Sequence, residues 1–468
     1  MLKKSFLPSV LIALLLISSY SCLNHVGATE FNGIVSSDTT WTQAKNPYTL
    51  TGPVLVNNGV TLTIEPGVTV NFNSNYLIVN GTLNARGTSE NKIIFQINEK
   101  SSSYPAIKFD FGSANWNEQT NSGCIIENAV IHSAWMHTTI QVYGAAVKIN
   151  NDIIDVGLKS SSNIAISVPV PNAFVPANPT IISNCIIGSG ECGIDGAVNC
   201  LIYNNTIYNC VWGIDAEHYS GSEVRTWHDN TIYGCDIGVN AYTAAVNLEK
   251  NLITDNDQGI AITRYHINQI YNSTIQYNTI SKNSIGIYLE GQEYPTIKYN
   301  NIQNNNQSNI RLENRPDKYD GGTANIDATS NWWGTTDSNA IKQTIHDYTS
   351  DYNVGNVTFT PFLTSPNQQA PADIYTPISS ISPTAAPIST STPSNTEQPT
   401  TSSTPDNINT LTPSPTSEQT ETATPQQGIT NAKPLLGLDW QTIVVVILAV
   451  IMVLLIVLIM VKHRNRKK

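Results

Sequence analysis

From about residue 180 to 313 the apolar residues come two or three at a time in β-branched runs, broken by Asn, Asp or Gly. "NPTIISNCII", "NTIYNCVWGI", "NTIYGCDIGV" and "YPTIKYNNI" show the form. Such runs with alternating polar positions predict short strands, and no amphipathic helix longer than a few turns is predicted before residue 443. The runs also recur. An Asn two residues before an Ile returns at Asn184, Asn205, Asn230, Asn251, Asn278 and Asn300, with gaps of 21, 25, 21, 27 and 22 residues. A Gly-aliphatic pair follows each of the first five, at Gly193-Ile194, Gly213-Ile214, Gly238-Val239, Gly259-Ile260 and Gly286-Ile287. The last copy slips by one and puts Asn309 before Ile310. Looser copies stand at Asn128 and Asn151, and "PVPNAFVPANP" (169–179) is expected to loop out between turns.

Short strands at a period of 21 to 27 residues fit a coil of parallel strands, one turn per repeat. Neighbouring turns then lie ~4.8 Å apart, so equivalent residues stack into columns. A buried Asn is costly alone but satisfied in a column, where its amide bonds the next backbone and the next Asn. The recurring Gly is expected to permit a tight bend into the next strand. A second column reads Cys210, Cys235, Asn256, Asn283 and Asn305. Stacking brings Cys210 and Cys235 within reach of a disulfide, and a reduced pair filling the turn is the alternative.

The two ends of the chain differ from this pattern. Residues 1–28 carry Lys3 and Lys4, an apolar run from Phe6 to Ile17 and a small-residue exit, the layout of a secretory signal peptide. Residues 443–461 hold no polar side chain, and at ~1.5 Å per residue they span roughly 28 Å, a membrane helix. "KHRNRKK" (462–468) follows, which favours a cytoplasmic C-terminus and a single-pass cell-membrane protein with its bulk outside. Residues 365–430 are rich in Ser, Thr and Pro and predict a disordered stalk, joined by a juxtamembrane segment at 431–442. The folded ectodomain is therefore expected over 29–364. Its polarity comes mostly from Asn, Ser and Thr: only 13% of residues are charged, and the net charge is -11. That excludes a nucleic-acid partner, which needs clustered Lys and Arg.

These rung phrases, together with "GVTLTIEPGVTVNFNSNYLIVNGTLNARG" (59–87), "SNWWG" (330–334) and "GNVTFTPFL" (355–363), resemble the right-handed parallel β-helix family. The resemblance is to its pectin-lyase-like, NosD-like and carbohydrate-active branch, and it covers nearly all of 50–364. It implies an all-β, single-stranded right-handed parallel β-helix, with "SNAIKQTIHDY" (338–348) near the C-terminal cap. It does not imply one activity, because this fold hosts many. The Asp and His signatures of pectin hydrolases and the "WIDH" and "RxPxxR" motifs of pectate lyases are absent.

Alternation along the strand after each Gly-aliphatic pair predicts an outward column of Asp195, Asp215, Asn240, Ala261, Tyr288 and Arg311. Two residues on, a second column reads Ala197, Glu217, Tyr242, Thr263, Glu290 and Glu313. Carboxylates and amides suit sugar hydroxyls and tyrosines suit the apolar faces of pyranose rings. The ligand-binding candidates are therefore Asp195, Asp215, Glu217, Asn240, Tyr242, Tyr288, Glu290 and Arg311. The same polar column is also what any solvated coil would present. If the strip is catalytic, Asp195, Asp215, Glu217 and His218 are the candidates, since paired carboxylates support glycoside hydrolysis. Calcium between the acidic rungs near Asp195 and Asp215 would serve a lyase. No other cofactor is implied. Copper fits poorly: Met is scarce at 4 residues, and the spacing of His132 and His137 puts them on opposite strand faces. Three roles remain open: surface glycan binding or adhesion, a membrane-tethered polysaccharide lyase or glycoside hydrolase, and a structural envelope protein.

Overall fold

The computed structural model describes residues 28–378, apart from 98–103, 134–136, 158, 160–162, 170–177, 197–199, 217–224, 243, 264–271, 292–293 and 315–323. The chain divides into two units, 1–391 and 392–468, and all described residues belong to the first. Three short strands make each turn of a coil, and each strand pairs in parallel with its counterpart one turn away. Thr180–Ser183, Ile186–Gly188 and Cys192–Asp195 form one such turn, and Cys200–Tyr203, Thr206–Tyr208 and Trp212–Ala216 the next. The first strands of successive turns form an 11-stranded ladder; the second and third ladders join through Tyr48–Val56 into a 23-stranded sheet. The fold is thus the all-β parallel solenoid expected, with about ten turns.

Each ladder sends one apolar column into the core. Ile182, Ile202, Trp227, Leu248, Ile275 and Ile297 pair in sequence in the first ladder. Ile187, Ile207, Ile232, Ile253, Ile280 and Ile302 do so in the second. Ile194, Ile214, Val239, Ile260, Ile287 and Ile310 do so in the third. All eighteen are at most 1% exposed, so each contributes roughly 1.5–3 kcal/mol of burial relative to an exposed side chain.

The corner between the first and second strands is a left-handed residue followed by a buried one. Asn204, Asp229, Lys250, Tyr277 and Tyr299 take φ of 55, 55, 56, 59 and 63°. The residues after them, Asn205, Asn230, Asn251, Asn278 and Asn300, are 2% exposed or less. Each of their Nδ2 atoms donates to the next Oδ1 at 3.0–3.1 Å, and the run ends on Asn331 of "SNWWG". Each Oδ1 also accepts the backbone N–H of the preceding residue in the column.

Asn184 does not belong to this column. It takes φ 58°, lies on the exposed surface and accepts from Asn204 Nδ2 at 2.6 Å, so Cys185 holds the buried place. The reason is a one-residue shift: "SNC" puts its Asn where "NNT" puts its first. Asn128 and Asn151 are likewise left-handed corner residues.

The second corner bears out the other column. Cys235 N–H donates to Asn256 Oδ1, and Asn256, Asn283, Asn305 and Asn309 link by amide bonds of 2.9–3.0 Å. Cys210 and Cys235 are buried free thiols one turn apart.

The glycine column has a different cause from the one expected. Gly193, Gly213, Gly238, Gly259 and Gly286 do not take positive φ. A Cβ on Gly213 would stand 2.4 Å from the Gly238 carbonyl oxygen, and one on Gly259 2.6 Å from that of Gly286. Backbones of successive turns approach too closely there for any side chain, and no bend is involved. Asn309 takes the place after Gly286, where the stack ends.

Helix Ser338–Gln343, capped by Asp337, and strand Ile345–His346 close the C-terminal end against Ile310 and Arg311. The chain does not stop being ordered at 364. Residues 364–378 run back along the second ladder, and Ile378 reaches Tyr233. The expected leader over 1–27, most of the stalk and the apolar span 443–461 lie outside the described residues. Among the described residues no helix is long and apolar enough to cross a membrane.

Candidate functional site

The third ladder presents its outward side chains in register over most of the coil. Lys108 pairs with Gln141, Gln141 with Ser167, and Ser167 with Asp195. Ile194 pairs with Ile214, which sets Asp195 and Asp215 one turn apart, ~4.8 Å between strands. Asp215 then pairs with Asn240, Asn240 with Ala261, Ala261 with Tyr288 and Tyr288 with Arg311. The parallel column of Tyr242, Thr263, Glu290 and Glu313 is also in register. Seven of the eight binding candidates share this face because each turn places the first and third residues after its core aliphatic outward. That leaves Glu217, which with His218 lies outside the described residues, as does Ala197.

Exposure separates the candidates. Asn240, Tyr242, Tyr288, Glu290 and Arg311 are half-buried, with edges open to solvent. Asp215 is 2% exposed, although alternation points it outward. Its Oδ1 accepts Asn240 Nδ2 at 2.8 Å, which spends one amide of the strip on holding the carboxylate. Asp195 is half-buried, and its Oδ2 accepts Ser167 Oγ at 2.8 Å. Burial raises the Asp195 pKa, against the lowering effect of Ser167 and the Gly196 N–H. Glu191, four residues earlier on the same strand approach, is also raised, by burial first and then by the Asp195 charge. Sequence reasoning missed Glu191 because it precedes the Gly-aliphatic phrase instead of following it. Arg311 is spent within its own strand, with Nε 2.9 Å from Glu313 Oε2.

The N-terminal end of the same face is aromatic, which the repeat phrases do not foretell. Lys108 Nζ lies 5.1 Å from the Tyr143 ring centre and 3.0 Å from Asp110 Oδ2. Phe111 meets Tyr143 edge-on at 5.0 Å. Its ring lies against Gly144, where a Cβ would be 2.5 Å from Cδ1.

Metal donors are not gathered on this face. Among the described residues no group of three or more His, Cys, Asp or Glu side chains is placed to hold a metal ion. His132 sits on the second ladder beside Asp155, and burial lowers its pKa. His137 precedes the third-ladder strand Thr138–Val142, so the two histidines serve different faces.

Comparison with known proteins agrees with this architecture. Residues 144–318 match the family model described as periplasmic copper-binding protein (NosD), and residues 33–130 match a pectate-lyase like beta helix domain. No curated protein matches the chain. Among solved structures, the periplasmic alginate epimerase AlgG is similar at 12% identity, covering 70% of this chain and 82% of that one, with a TM-score of 0.32. A point mutant of the same epimerase is similar at 11% identity over 68% and 76%, with a TM-score of 0.30. Overlays this loose transfer no residue role.

Proposed function

The chain belongs to the right-handed parallel β-helix proteins, and from that premise we propose that its third-ladder face binds polysaccharide on the outside of a cell. One observation carries the reading. Asp195, Asn240, Tyr288 and Arg311, flanked by Tyr242, Thr263 and Glu290, form a straight strip with a repeat of ~4.8 Å. A linear polymer can lie along such a strip, with hydroxyls on carboxylates and amides and ring faces on tyrosines. The partner is then a polysaccharide or surface glycan. The signal peptide, stalk and apolar span would display this face from a single-pass membrane anchor, with the C-terminus in the cytoplasm.

A tethered polysaccharide lyase or hydrolase is the second reading, and the raised pKa values of Asp195 and Glu191 favour it. Neighbouring carboxyls pushed upward are what an acid-base pair needs. Copper, named for the matched NosD model, finds no assembled donor set among the described residues, and no role is derived through it.

The test is the purified protein on an array of plant, microbial and host polysaccharides, with reducing ends and unsaturated uronate followed in parallel, with and without calcium. Binding that Tyr288→Ala weakens at least tenfold, without product release, supports the binding reading. Product release lost in Asp195→Asn establishes the enzyme instead. Neither binding nor release across the array refutes both and leaves a structural envelope role.

A further inference from the structure

The chain beyond the last turn forms a strap across the second ladder, anchored once or more at each of four successive turns. Asn367 N–H donates to Asn301 Oδ1 at 2.8 Å, and Asn301 Nδ2 returns a bond to the Asn367 carbonyl at 3.2 Å. One turn back, Thr279 Oγ1 donates to the Pro371 carbonyl and Lys282 pairs with Asp373 at 3.0 Å. The next turn supplies Asp255, whose Oδ2 accepts the Tyr375 hydroxyl at 3.0 Å. The last supplies Tyr233, whose ring lies 4.4 Å from that of Tyr375 and whose hydroxyl accepts the Ile378 N–H at 2.7 Å. Under this strap, Thr254, Ser281 and Thr279 are 0–1% exposed, although the outer face of a sheet is ordinarily wet.

Two features distinguish the strap from a fixed part of the core. It contributes almost no apolar burial: Ala370 is its one buried hydrophobic residue, and Ile374 is 83% exposed. Its anchors are one or two polar contacts per turn and one aromatic pair, strung in a row along four successive turns. A load applied beyond Ile378 toward the C-terminal end of the coil reaches these anchors one after another. The turns, by contrast, are held by many backbone bonds loaded together.

We propose that residues 367–378 are a peelable latch that takes tension on the C-terminal tail before the coil does. With the latch closed, the tail leaves beside Tyr233, in the same turn as Asn240 of the candidate strip. With it open, the tail leaves near Asn301 and gains the slack of the strap, on the order of 40 Å at ~3.3–3.6 Å per extended residue. The latch deepens the displayed-binder reading by giving the tether a yielding element, but its mechanics need no glycan.

The full chain, held by its two ends in an optical trap, tests this. The expected record is an early, reversible lengthening of about 50 Å, the strap's ~40 Å plus three turns at ~4.8 Å, at forces below those that unravel the coil. Tyr375→Ala combined with Asp373→Ala should abolish that early event and leave the later unravelling unchanged. Unravelling with no early event, or an early event that survives in the double variant, overturns the latch. Without force, thermolysin should cut before Ile374 at least tenfold faster when Asp255→Ala and Lys282→Ala remove the strap's partners on the coil and leave the cleaved sequence intact, and rates equal to the native chain's count against the latch. Neither readout involves polysaccharide, so loss of the binding reading on the array would leave this result standing.

Discussion

Asp152 occupies the column that asparagines fill from Asn205 onward, and replacing it with Asn should stabilise the protein in a pH-dependent way. The pairing of Ile153 with Ile186 and of Ile186 with Thr206 puts Asp152, Cys185 and Asn205 at one register position. Asp152 Oδ1 accepts the Ala129 N–H at 2.6 Å, as each Asn Oδ1 accepts the N–H of the turn before. Its Oδ2 has no partner, where Asn205 Nδ2 donates to the Ile182 carbonyl at 2.9 Å. Burial pushes the carboxyl up to about 8, with the Ala129 N–H and Lys92 acting in the opposite direction. The unfolded chain has an Asp pKa near 3.9. Between these values the folded state holds a proton that the unfolded state releases, so stability is full below about pH 4 and is lost as pH rises to about 8. At 1.36 kcal/mol per unit the loss by pH 7 is about 4 kcal/mol, and Asp152→Asn removes it. The new amide would donate to the carbonyl of Ile126, the counterpart of Ile182 two turns on. Urea midpoints at pH 4, 5.5, 7 and 8.5, read by far-ultraviolet circular dichroism, should coincide for the two proteins at pH 4. They should diverge steadily above it, with the variant the more stable. Parallel pH profiles, or a variant less stable at pH 7, would refute the reasoning.

Two further perturbations probe the columns themselves. Asn251→Ala removes the acceptor of both the Asn230 N–H and Asn230 Nδ2 and should cost about 3–5 kcal/mol, seen as a lower urea midpoint. Gly259→Ala forces a Cβ against the Gly286 carbonyl and the Asn283 amide, and about 3 kcal/mol or more should be lost in thermal melts. If Gly259→Ala melts with the native protein, close approach of the turns is not why glycine stands there.

The period of the fold was legible because a parallel coil imposes a translational repeat on the chemistry. A buried amide at one turn is satisfied only by a matching group at the next, so Asn205, Asn230, Asn251, Asn278 and Asn300 recur as a set. The same rule placed Cys210 and Cys235 in a column with Asn256 and placed Asp195 through Arg311 on one face. Its failures are local. Asn184 and Asn205 look alike in sequence because the left-handed corner and the buried site after it both favour Asn, for different reasons. The corner wants a residue that tolerates positive φ, and the buried site wants a donor and an acceptor on one short side chain. Only the neighbouring turn distinguishes the two. Asp215 shows the same limit on the outer face: alternation gives a direction but not what covers it, and Asn240 sits against its carboxylate. The strap was invisible for the opposite reason. Asn367, Pro371, Asp373 and Tyr375 meet successive turns through a different chemistry each, so their contacts have no period, and their composition is that of the stalk they begin. What repeats in this chain is what the coil requires of itself. What does not repeat, such as Asp152 in an asparagine column or the contacts of the strap, depends on neighbours that only the folded coil brings together.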